Sequence, residues 1–77
     1  METYYTSNNG LGKAIIFVYE KDDLFEVIKT LKFISKLLCL KLDYDVDFDE
    51  NEISVPVTDY YEFKTLHINL NDHCKVA

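Results

Sequence analysis

The stretch DYDVDFDENEISVPV, residues 43–57, decides how the rest of the chain is read. Tyr44, Val46 and Phe48 alternate with Asp43, Asp45, Asp47 and Asp49, and the apolar set resumes at Ile53, Val55 and Val57. A period of two is the signature of a strand with one face in a core. Asp49, Glu50 and Asn51 stand at the reversal, so the segment is expected to be a β-hairpin. Pro56 lacks a backbone donor, which places the second strand at an edge or a bulge.

Upstream, the period is helical. Leu24, Val27, Ile28, Leu31, Ile34 and Leu38 fall on one broad stripe, as packing onto a single sheet requires. Asp22 and Asp23 supply N-cap chemistry, and Glu26 three residues after Asp23 completes a capping box. A helix is therefore predicted over residues 23–40. Before it, KAIIFVYE at residues 13–20 is a continuous β-branched and aromatic run, the pattern of a buried central strand.

The remaining segments are less regular. Residues 1–12 form a polar, flexible leader ending in NNGLG, where both glycines fall. The string Gly10-Leu11-Gly12-Lys13 lacks the spacing of a phosphate loop and precedes a strand, so no nucleotide site is expected there. After the hairpin, Asp59 and Glu62 can cap a short helical turn over residues 60–63. Leu66, Ile68 and Leu70 alternate with His67 and Asn69, which favours a last strand over a helix spanning residues 59–70. Residues 71–77 are a polar tail.

Together these segments predict one α+β domain over residues 13–70, ordered β-α-β-β-β, with one long helix on a small antiparallel or mixed sheet. A chain of 77 residues buries a limited fraction of its surface and often gains stability from a second subunit. A second helical stripe of Phe33, Leu37 and Leu40 lies nearly opposite the core stripe, with Lys29, Lys32 and Lys36 between them. One sheet cannot cover both stripes. Either the C-terminal segment folds over the second stripe, or Phe33, Leu37 and Leu40 form the interface of a two-fold homodimer; the homodimer is the expectation.

Charge narrows the function. There are 14 acidic residues against 8 lysines and no arginine, a formal charge of -6. Such a field repels nucleic acid and anionic membrane and favours encounter with a basic surface. No targeting signal or spanning segment is present in the sequence, so a cytoplasmic location is expected. Cys39, placed within the helix, and Cys74, placed in the tail, are expected to be free thiols, the first inert among apolar neighbours.

Chemistry has little to work with. No serine has a nucleophile-elbow context, and surface carboxylates lack the burial that separates acid from base, so no catalytic residue or enzyme activity is expected. Asp45, Asp47 and Asp49 fit the first ligand positions of an EF-hand, but Glu50 replaces the required glycine and Pro56 the bidentate glutamate. His67, Asp72, His73 and Cys74 do not make a zinc-ligand spacing. No metal or cofactor is expected. Tyr4, Tyr5, Tyr60 and Tyr61 are candidate aromatic anchors at an interface, with core packing an equal alternative for Tyr60 and Tyr61.

The aspartate ladder calls for explanation, because strands ordinarily deplete aspartate. It can serve as a solvated edge that blocks aggregation. Same-face residues on a strand repeat at about 6.7 Å. Neighbouring phosphates of one DNA strand are about 7 Å apart once the winding is added to their rise. Asp43, Asp45, Asp47 and Asp49, with Glu50 and Glu52, can therefore imitate a short run of phosphates. In size, acidic excess, this ladder and the expected two-fold interface, the chain resembles the phage-encoded DNA-mimic inhibitors. Members of that group occupy the DNA-binding surface of host factors, including HU-type nucleoid proteins, restriction enzymes, CRISPR nucleases and uracil-DNA glycosylase. The resemblance implies a basic DNA-binding protein as partner in the host cytoplasm, with Asp43, Asp45, Asp47, Asp49, Glu50 and Glu52 as contacts. The alternative is a small dimeric adaptor that binds through apolar helix contacts.

Overall fold

Asn9 and Gly10 both adopt positive φ, 54° and 78°, and so form the two-residue turn whose twist matches a β-hairpin. The computed structural model describes residues 1–76. The turn joins β1 (Glu2–Asn8) to β2 (Leu11–Phe17), which pair antiparallel from Glu2 opposite Phe17 to Asn8 opposite Leu11. The expected flexible leader is thus a strand. Its side chains carry no apolar alternation, so only the Asn-Gly turn betrays it.

The helix α1 (Asp23–Leu37) follows, three residues shorter than the sequence predicts. No side chain caps its start. The first amides bond instead to preceding carbonyls, Asp23 N–H to Glu20 and Leu24 N–H to Lys21, at 3.0 and 3.1 Å. The expected capping box is therefore not formed. At the other end Cys39 takes φ 53° and terminates the helix in the left-handed conformation. Leu40 N–H bonds back to the Ser35 carbonyl at 3.0 Å and Cys39 N–H to that of Lys36 at 3.4 Å. Cys39 is thus an exposed thiol beyond the helix, where the sequence placed it among apolar helical neighbours.

The chain returns through β3 (Asp45–Asp47) and β4 (Glu52–Val57), the expected hairpin with a shorter first strand. The sheet is wholly antiparallel, in the order β1-β2-β4-β3. Pairing of β4 with β3 stops at Ser54, so Pro56 sits where β4 has β2 as its only neighbour.

The final element, α2 (Tyr60–His73), corrects the predicted last strand. Asp59 caps it, its Oδ1 accepting from Glu62 N–H at 2.9 Å, while Thr58 donates to the Glu62 carboxylate at 2.7 Å. The alternation of Leu66, Ile68 and Leu70 misleads because Leu66 and Leu70 are also one helical turn apart. Leu70 is 0% exposed and Ile68 54%. The predicted polar tail is corrected too: residues 71–73 are helical, Cys74 is buried and Val76 packs on the core. Ala77 lies outside the described residues.

One face of the sheet carries both helices. Ala14, Ile16 and Val18 meet Ile53, Val55 and Val57, and over them close Leu24, Val27, Leu31 and Ile34 of α1 and Phe63, Leu66 and Leu70 of α2. Ile28 and Leu38 pack at the margin, so the core stripe read from the sequence is the one used. Complete burial of a valine, leucine or isoleucine side chain of this core stabilises the fold by about 1.5–3 kcal/mol. The result is a two-layer α+β domain with two helices where one was expected.

Candidate functional site

Since the helices occupy one face, the opposite face of the sheet is open, and alternation assigns its residues. Gly12, Ala14, Ile16 and Val18 point to the core, so Lys13, Ile15, Phe17 and Tyr19 point away from it. The strand register then sets two rows across the open face. One runs Glu2, Phe17, Glu52, Asp47 and the next Tyr4, Ile15, Ser54, Asp45. Ile15 and Phe17 on β2 and Ser54 and Glu52 on β4 hold the middle, with Glu2 and Tyr4 at the β1 margin and Asp45 and Asp47 at the β3 margin.

At the β1 margin Glu2 accepts hydrogen bonds from the Tyr4 hydroxyl at 2.6 Å and the Tyr19 hydroxyl at 3.3 Å. The hydrogen bond to Glu2 raises the Tyr4 pKa, and the charge of Glu2 raises that of Tyr19. Both rings remain accessible, Tyr4 51% and Tyr19 58% exposed, and the Phe17 and Tyr19 rings meet edge to face at 6.0 Å.

At the β3 margin the aspartate ladder is shorter than the sequence implies. Asp45 and Asp47 lie on the strand, Asp43 precedes it, and Asp49 and Glu50 sit in the turn with Phe48 and Asn51. The Asp47 Oδ1 accepts from the backbone N–H groups of Asp49 and Glu50, at 3.0 and 3.1 Å, and so holds the turn closed. Glu52 stands directly across from Asp47. The structure therefore brings Asp45, Asp47 and Glu52 onto one face, with Asp43, Asp49 and Glu50 around them but off the regular spacing. Phe48 lies in the turn and sets its ring 6.4 Å from that of Phe25 on the helix side of the sheet.

The second apolar stripe is also broken up. Phe33, Leu37 and Leu40 are 49%, 52% and 38% exposed, and Leu40 lies past the end of α1. The His73 ring meets Phe33 edge to face at 5.0 Å, so the end of α2 covers part of the stripe. His67, expected on a strand, is half-buried on α2, bonded to the Thr3 hydroxyl and stacked on Phe63. Cys39 and Cys74 are free thiols. Among the described residues no group of three or more His, Cys, Asp or Glu side chains is placed to hold a metal ion. No helix among them is long and apolar enough to cross a membrane.

Sequence reasoning missed Glu2, Tyr4, Ile15, Phe17 and Tyr19 as one surface. Glu2 and Tyr4 lay in a supposed leader, and the apolar run at residues 13–20 read as buried on both sides. Comparison with protein-family models, with curated proteins and with solved structures finds no match for this chain.

Proposed function

We propose that this chain is an acidic binding protein that occupies the DNA-binding surface of a basic protein and keeps DNA from it. The observation that supports this reading is the placement of Asp45, Asp47 and Glu52 on the uncovered sheet face, beside Tyr4, Ile15 and Phe17. Asp45 and Asp47 keep the two-residue spacing of about 6.7 Å, close to that of neighbouring phosphates. The aromatic centre offers the rigid apolar contact that interface hot spots favour. No covalent chemistry is involved, and the chain is read as a non-enzyme.

The test is displacement of labelled duplex DNA from a panel of basic DNA-binding proteins, an HU-type nucleoid protein among them, at low and high salt. The expected outcome is displacement that weakens steeply with salt and is lost in Asp45→Asn with Asp47→Asn. Asparagine keeps the Oδ1 acceptor that closes the turn, so that variant is expected to stay folded. Salt-insensitive displacement, or full activity of the double variant, contradicts the reading.

A second reading draws on the exposure of Phe33, Leu37 and Leu40: an adaptor that binds its partner through apolar contacts. Under it Leu37→Asp abolishes binding and the aspartate changes do not.

A further inference from the structure

The outer edge of β1 has backbone groups with no backbone partner among the described residues. In a two-residue hairpin the residues flanking the turn exchange hydrogen bonds, so Asn8, Thr6, Tyr4 and Glu2 bond to β2. The N–H and C=O groups of Thr3, Tyr5 and Ser7 then point outward. None of them has a backbone partner among the described residues. Sheet edges are ordinarily blunted by lysine, proline, a bulge or shortness. Here the edge is seven residues long, regular in register, free of lysine and proline, and charged only at Glu2.

The side chains leave the edge clear as well. Tyr5 leans back over β2: a Cβ added at Gly12 would stand 3.0 Å from the Tyr5 hydroxyl, so the glycine makes room for it. The Tyr5 ring is held there by Tyr60 and Phe63, each with its centroid 5.4 Å away. Thr3 is turned to His67 on the helix layer.

We propose that β1 is the seam of a two-fold homodimer, in which Glu2–Asn8 of two copies pair antiparallel about Tyr5. In that register Thr3 exchanges hydrogen bonds with Ser7 of the second copy, Tyr5 with its own counterpart, and Ser7 with Thr3. Every outward group of the edge is then satisfied. A second copy fits better than an arbitrary strand because the register is self-complementary. Tyr4 faces Thr6 on the open side, and Glu2 faces Asn8. The two Glu2 residues end about 20 Å apart along the seam, beyond the screening length at physiological salt. Two sheets of four strands become one of eight, with the open faces continuous and the acidic β3 edges outermost. This pairing is independent of the function proposed above, and its failure leaves DNA displacement by the monomer untouched.

The test combines sedimentation with amide hydrogen exchange on the full chain. The wild type is expected to sediment as a dimer, with slow exchange at Thr3, Tyr5 and Ser7. Ser7→Pro removes one outward donor without touching the bonds to β2, and is expected to give a folded monomer, while Leu37→Asp remains dimeric. A wild type that is monomeric at every concentration overturns the proposal, as does a dimer that Ser7→Pro leaves intact. If Ser7→Pro fails to fold, exchange in the wild type decides: fast exchange at Thr3, Tyr5 and Ser7 rules the seam out.

Discussion

Along one edge of the sheet β1 presents seven residues with Glu2 as their only charge, whereas at the other edge β3 is three residues long and carries Asp45 and Asp47. Both edges belong to one antiparallel sheet over one core, so the contrast cannot come from topology. It comes from side chains. At β3 the charges repel another strand and leave the face beside it free for a cationic surface. At β1 nothing repels a strand, and Gly12 even clears Tyr5 from the path. Under the two proposals above, one sheet keeps two kinds of contact apart, backbone pairing at one edge and charge recognition at the other.

The largest effect is expected from giving β3 the character of β1. Asp45→Val with Asp47→Asn removes the repelling charges while keeping the acceptor that closes the turn, and light scattering at neutral pH should show open-ended association of the variant beyond that of the wild type. Unchanged solubility would mean that shortness alone protects this edge.

Next comes the packing that frees β1. In Gly12→Val the new side chain meets the Tyr5 hydroxyl and the Val57 carbonyl, both 3.0 Å from an added Cβ. Overpacking of this kind costs about 1–3 kcal/mol, read as a lower midpoint in denaturant titration.

A smaller effect separates the two roles of Asp47. Asp47→Ala forfeits the bonds to Asp49 and Glu50 and should cost about 1 kcal/mol or somewhat more. Asp47→Asn keeps the acceptor and should be nearly neutral in stability. Equal losses in both would assign the stabilisation to charge and not to the hydrogen bonds that close the turn.

The smallest effect is at Glu2. Its contacts raise the Tyr4 and Tyr19 pKa values above 10.0, so the fold favours their protonated forms. That contribution is present below pH 10.0 and is lost as pH climbs through the raised values. In Glu2→Gln the phenolate absorbance of two tyrosines should appear at lower pH than in the wild type.

Much of the fold was legible in the sequence where burial imposes a period. The stripe Leu24, Val27, Leu31, Ile34 on α1 and the turn at Asp49, Glu50 and Asn51 follow directly from it. The β1 strand was not, because Thr3 and Tyr5 face the core as amphipathic side chains and leave no apolar alternation. Asn9-Gly10 was the readable signal, since only a hairpin turn asks for two positive φ values in a row. The second helix was hidden by Ile68, which completes an alternation in sequence yet faces solvent. Phe63, Leu66 and Leu70, spaced three and four apart after the Asp59 cap, carried the correct period. The acidic segment was found from composition alone, but its ladder was overestimated: the turn takes Asp49 and uses Asp47 as its clasp. The open face was invisible until register placed Glu2, Phe17, Glu52 and Asp47 in one row.

The most direct test of the account is an NMR titration of the isotope-labelled protein with a basic DNA-binding protein of the HU type. Shifts concentrated at Tyr4, Ile15, Phe17, Asp45, Asp47 and Glu52, and fading with added salt, are the predicted result. Shifts concentrated at Phe33, Leu37 and Leu40, with the open sheet face silent, would contradict it.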